Sequence, residues 1–245
     1  MTTYVYAVVA GDTAAPPDAD RGVGRESSLR LVVDGPLAAV VGTAPDSMRG
    51  TPKDLEAHAG VVERLSSTGT TLPVRFGMVL EDDDAVVDQL LRRHGDRLRA
   101  MLAEFDGKVE LRLRARYDRE AQLRRVVQAE PTIRSLNERV KGASPARRHS
   151  LQIRLGELVA AALEHEQQRD AARILAALTP LATDHRVMTA PAELVALTAA
   201  FLVDRAAERR FEEHVRAQDD ASEGRITSTL VGPLPPWDFV ELGGP

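Results

Sequence analysis

Cysteine is absent from the 245 residues. That excludes disulfides, thiolate catalysis and cysteine-ligated zinc. Aromatic residues make up only 4% of the chain, so its core must be built from Leu, Val, Ile and Ala. Lysine occurs only at Lys53, Lys108 and Lys141, and nearly all basic charge is arginine. Acidic residues outnumber basic ones, the formal net charge is -5, and no cationic tail or block stands out. Nucleic acid is therefore disfavoured as the main partner. No window approaches the run of about 18 apolar residues needed to span a lipid membrane. The longest apolar stretch, Leu194 to Val203, is broken by Thr198. Met1 to Val9 lacks the positively charged start of a secretory leader. The expected compartment is the cytoplasm.

Hydrophobic residues at 43% beside 28% charged ones suit a globular protein with a real core. Thr3 to Ala10, rich in Tyr and Val, predicts a buried strand. Gly11 to Arg25 is polar and rich in Pro, Asp and Gly, and predicts a long loop. Leu29–Val33 and Leu37–Val41 flank Asp34-Gly35 and predict a β-hairpin. Thr51-Pro52 opens a helix as N-cap and first helical residue. Leu72 to Leu80 predicts one continuous strand. Asp82-Asp83-Asp84 starts a helix carrying Val87, Leu91, Leu98, Met101 and Phe105 on one face. From Val109 to Tyr117 apolar residues alternate with Glu110, Arg112, Arg114 and Arg116, predicting a strand with one buried and one wet face.

Beyond Asp118 the pattern turns helical. Arg119–Ala129, Thr132–Val140 and a long helix from Ala146 to about Leu178 are expected, with Pro131 and Ser144-Pro145 as punctuation. The polar stretch Glu164 to Arg173 predicts projection into solvent or against another domain. Val195–Val203, Asp204–Ala217 and Arg225–Val231 predict a strand, a helix and a final strand. The fold class is α+β in two domains: residues 1–118, a modified ferredoxin-like sandwich, and residues 119–245, helix-rich with a small αβ unit.

Chemistry-bearing patterns are sparse. The six histidines include no pair at helical ligand spacing, so no metal site is assigned. No phosphate loop, dinucleotide fingerprint or nucleophile elbow is present, and no catalytic residue or cofactor is assigned. The Arg112/Arg114/Arg116 row suits a salt-bridged or solvated face. Arg75, inside the apolar run Leu72-Pro73-Val74-Arg75-Phe76-Gly77, is expected to be partly buried and paired. With Phe76 it is also a candidate for a surface that receives the tail or a partner.

The tail is the most informative stretch. In Gly232-Pro233-Leu234-Pro235-Pro236-Trp237-Asp238-Phe239 three prolines disfavour helix and sheet ladder. They present Trp237, the only tryptophan, with Phe239. This segment either straps the chain to itself or docks on a partner. Together with Leu72–Gly77 and the strand Gly107-Lys108-Val109-Glu110, its order and spacing resemble the gas vesicle protein F/L family over nearly the whole chain. The resemblance implies a ferredoxin-like N-terminal domain and a helix-rich C-terminal one. It also implies a non-enzymatic accessory role in gas vesicle assembly. The implied partners are the small hydrophobic shell protein and other accessory proteins, and the implied location is the gas vesicle and the cytoplasm. Arg75, Phe76, Pro235, Pro236, Trp237 and Phe239 are the candidate interface or tail-docking residues. The competing reading is a ferredoxin-like small-ligand-binding protein or enzyme with a cleft between sheet and helices.

Overall fold

The computed structural model describes residues 2–16, 22–24, 28–45, 50–188 and 194–241. The predicted Gly11–Arg25 loop thus lies partly outside the described residues. The chain divides into two compact units: residues 1–110 with 232–245, and residues 111–231. The expected division placed the tail with the C-terminal part, whereas residues 232–245 group with the N-terminal unit.

In the N-terminal unit β1 (Thr3–Ala10) is the central strand. It is apolar throughout because both of its faces are covered: Tyr4 to Val8 are fully buried. On one side lies the hairpin of β2 (Arg30–Asp34) and β3 (Leu37–Thr43), with β3 antiparallel to β1. Asp34 pairs directly with Leu37, so Gly35-Pro36 is a two-residue loop. Gly35 supplies the positive φ of +58° that the turn requires. A Cβ on Gly11 would stand 2.4 Å from the Gly35 carbonyl oxygen, so only glycine lets the exit of β1 pass this close.

The predicted strand Leu72–Leu80 is two short pieces, β4 (Leu72–Pro73) and β5 (Val79–Leu80), both antiparallel to β1. Between them residues 74–78 bulge away opposite Val5 and Tyr6. The Val74 amide still donates to the Tyr6 carbonyl, and the Val5 amide to that of Met78.

Helix α1 (Pro52–Thr68) begins with a capping box between Thr51 and Asp54. The predicted second helix is broken into α2 (Asp83–Val86), a π-helical segment over Val87–Arg92, and α3 (Gly95–Glu104). Two of the three aspartates at its start divide the work. Asp82 caps the Ala85 amide. Asp83 takes both Arg30 nitrogens and the Thr3 hydroxyl, tying the helix to β1 and β2.

The second sheet has the order β7-β8-β6-β9. It is built from β6 (Lys108–Tyr117), β7 (Asp184–Val187), β8 (Val195–Asp204) and β9 (Ile226–Leu234). β6 therefore does not complete the N-terminal sheet, as its place in the chain suggested. β9 runs on through Pro233 to Leu234; a proline is tolerated there because β9 is an edge strand.

Helices α4 (Arg119–Ala129), α5 (Pro131–Lys141) and the 34-residue α6 (Pro145–Leu178) form as their punctuation predicts. They pack on one another, and α6 also packs on β8. Most of the polar stretch Glu164–Arg173 is exposed, as expected, but one face of it is not. The first half of α6 is largely exposed, while Glu166, Asp170, Ile174 and Leu178 are buried. Carboxylates can be buried there because each has a cation: Glu166 meets Arg169, and Asp170 meets Arg225. α7 (Glu208–Asp220) closes the unit by setting Phe211 against Phe201, ring centroids 5.0 Å apart.

Candidate functional site

Two of the three sequence segments singled out above, Leu72–Gly77 and the tail, meet on the N-terminal unit around His58, and the third reaches the tail through Glu110. His58 lies on the face of α1 that turns toward β1, and is only 2% exposed. Its Nε2 is 2.9 Å from the Val74 carbonyl oxygen, which can only accept, so Nε2 carries the proton. Nδ1 is therefore an acceptor, and the Tyr4 hydroxyl donates to it at 2.9 Å. The same hydroxyl accepts the Gly77 amide at 3.2 Å. One chain of hydrogen bonds thus grips both ends of the 74–78 bulge, with every member satisfied.

Burial sets the electrostatics. It pushes the Tyr4 phenol well above its ordinary range, and the Gly77 amide opposes it only in part. It pushes the His58 imidazole below its ordinary value, against the opposing pull of the Val74 carbonyl. The network therefore holds a neutral imidazole.

A pH dependence follows from that direction. The unfolded chain takes up the His58 proton near pH 6.5, and the folded chain only below that. This contribution to stability is complete above pH 6.5 and is lost as pH falls from there through the folded pKa. Unfolding midpoints measured from pH 7.5 to 5 should fall more steeply for wild type than for His58→Gln, which has no proton to take up. Parallel curves would contradict the neutral, buried imidazole.

Aromatic rings pack round this imidazole. Tyr6 stacks on it at 5.5 Å, and Phe76 meets it edge-on at 5.7 Å. Trp237 lies at 5.7 Å, tilted by 46°. Trp237 and Phe76 are half-buried and pack on the cluster of Tyr4, Tyr6, Val61 and Val62. The tail thus reaches the bulge as a strap on its own chain. It is not an extended polyproline stretch beyond β9: the Trp237 amide bonds back to the Pro235 carbonyl, and those of Phe239 and Val240 to that of Pro236. Pro235, Pro236 and Phe239 are buried.

Glu110 supplies the latch. The alternation of β6 predicted a wet side chain, yet Glu110 is fully buried and its Oε2 accepts the Asp238 amide at 2.8 Å. The carboxylate of Glu110 thus meets an amide of the tail's own turn. The Glu of the Gly-Lys-x-Glu segment was the available signal for this pairing. For His58 the signal was its place on α1 three and four residues before Val61 and Val62, which sets it on their buried face.

Arg75 departs from expectation in the opposite direction. It is exposed, and no partner for it is found among the described residues. The strand stops at Pro73, so Arg75 sits at the outward turn of the bulge instead of facing a core. Phe76 beside it turns inward. The structure thus brings Phe76 and Trp237 together around His58, buries Pro235, Pro236 and Phe239, and leaves Arg75 in water.

Fold and site together define a two-unit α+β protein whose signature segments build one strapped surface of its N-terminal unit. Residues 2–241 match the family described as gas vesicle synthesis protein GvpL/GvpF, and the chain belongs to that family. It is 36% identical to gas vesicle protein F of Streptomyces sp. (strain CB03234), covering 98% of this chain and 100% of that one. It is 31% identical to gas vesicle protein L of the same strain, covering 98% and 92%. The crystal structure of gas vesicle protein F from Anabaena sp. PCC7120 superposes with a TM-score of 0.86 over 99% of both chains at 20% identity. That likeness establishes the α+β fold. Among the described residues no helix is long and apolar enough to cross a membrane.

Proposed function

We propose that this chain is a non-enzymatic accessory protein of gas vesicle assembly. In this reading it binds the small hydrophobic shell protein and helps to place it in the growing wall, alongside other accessory proteins. The observation that supports the reading is the linkage of the three signature segments within the N-terminal unit: Phe76 and Trp237 meet at His58, and Glu110 latches the tail. The polar groups there are spent on shape. Both His58 nitrogens and the Tyr4 hydroxyl are engaged with the protein itself, which leaves neither a free base nor a free acid for chemistry. What the network does is hold Arg75 and Phe76 in one fixed presentation. A shell subunit with a large apolar face needs such a surface before it polymerises.

Arg75, Phe76 and Trp237 are assigned to this surface; Pro235, Pro236 and Phe239 hold the tail that supports it. The test is co-expression of the chain with an affinity-tagged shell protein. Co-elution and a larger soluble fraction of the shell protein are expected. A shell protein that stays equally insoluble with and without the folded chain would remove the proposal.

A further inference from the structure

Arg75 is the one charge that the 74–78 bulge presents to water, and its setting is apolar. Phe76 is half-buried next to it, and Val79, at the exit of the bulge, is 38% exposed. Gly50 lies beside the Phe76 ring: a Cβ built on it would be 3.8 Å from the ring edge. The start of α1 therefore borders the bulge, and Leu55, 47% exposed, stands one turn before His58 on that helix. The half-buried indole of Trp237 completes the neighbourhood through His58. The carboxylate of the first turn of α1, Asp54, is committed to Thr51 in the capping box.

Any apolar partner segment that covers Leu55, Phe76, Val79 and Trp237 must also take water away from the Arg75 guanidinium. A guanidinium covered there without a partner would oppose binding, because a desolvated charge must be compensated. The partner therefore has to bring an acceptor, and the planar fork of arginine is best met by two oxygens of one carboxylate. Resting on the assembly reading above, we infer that the partner segment is apolar with one Asp or Glu set among its hydrophobic residues. That carboxylate closes on Arg75 as the apolar side chains cover the rest. The same charge rejects uniformly apolar surfaces, because they would bury it unpaired. This explains why a cation stands at the centre of an otherwise hydrophobic segment. The bulge is pinned at Val74, Gly77 and Met78, so the guanidinium is presented from a fixed base.

The experiment uses the full chain, with the soluble tagged shell protein as the probe, at low and high salt. Arg75→Gln should weaken binding about tenfold or more, Arg75→Glu further, and Arg75→Lys by an intermediate amount. The salt dependence seen with wild type should be weaker in Arg75→Gln, since the ion pair that salt screens is gone. All three variants should keep the wild-type unfolding midpoint, because Arg75 has no partner among the described residues to lose. Wild-type binding with Arg75→Gln unchanged would overturn the carboxylate and leave the assembly role standing. No binding by folded wild type would overturn both.

Discussion

Replacing Trp237 by alanine is expected to lower the stability of the N-terminal unit by about 2–4 kcal/mol. A fully buried tryptophan or phenylalanine truncation costs about 3–5, and this indole is only half-buried. The lost contacts are specific. The ring packs on His58 at 5.7 Å and on the cluster of Tyr4, Tyr6, Val61 and Val62. It is also the first aromatic of the strap, so its loss loosens the residues after it. Phe239 and Val240, both buried, would be exposed in part, and Glu110 would lose the Asp238 amide. A buried carboxylate that gives up a donor adds its own desolvation cost. Trp237→Phe should recover much of the loss, because it keeps a ring over His58 and the turn that reaches Glu110. Urea unfolding followed by far-ultraviolet circular dichroism reads both variants. An unchanged midpoint for Trp237→Ala would mean that the tail does not strap this unit, and the indole would then belong to a partner surface.

The elements that sequence reading placed well are those whose determinants are local. Thr51-Pro52 announces α1, Asp34-Gly35 announces the hairpin, and Pro131 and Pro145 divide α4, α5 and α6, because caps and prolines act within a few residues. The misplaced features have distant determinants. Leu72–Leu80 carries no mark of a bulge. The bulge exists because Tyr4, 73 residues before Gly77, and His58, on α1, offer partners to Gly77 and Val74. Arg75 was expected indoors because its neighbours in sequence are apolar, yet the same bulge turns it outward. Glu110 was expected in water because alternation describes one strand and knows nothing of a tail that returns from residue 232. Glu166 and Asp170 looked like a solvated stretch of helix, but Arg125 of α4 and Arg225 come to meet them. Where a partner decides the outcome, the polar residue was legible and its partner was not. The candidate surface was accordingly recognised by its segments, while the hydrogen bonds that build it were not.

The same rule gives the second large effect, in the C-terminal unit. Asp170 is 5% exposed. Both its oxygens face Arg225, at 2.5 and 2.7 Å, and the Tyr117 hydroxyl donates to it at 2.9 Å. Arg225, whose side chain is 16% exposed, also donates to the Oε1 of buried Gln122. Burial alone would raise the Asp170 carboxyl, but the Arg225 and Tyr117 hydrogen bonds outweigh it and hold the group below its ordinary range. Asp170→Ala therefore leaves a guanidinium enclosed without its anion, and about 3–5 kcal/mol should be lost. The paired change Asp170→Leu with Arg225→Met should cost far less than the two single changes added together, because no charge is then left unpaired. Acid gives an independent reading. A carboxyl held low in the folded state stabilises above its unfolded pKa of about 3.9, and that stability drains away as pH falls below it. Wild type should lose stability over that interval more steeply than the Leu/Met pair. If Asp170→Ala and the double variant unfold at the same urea concentration, the ion pair is not what holds α6 to the start of β9, and the apolar contacts of Ile174 and Leu178 must do so instead.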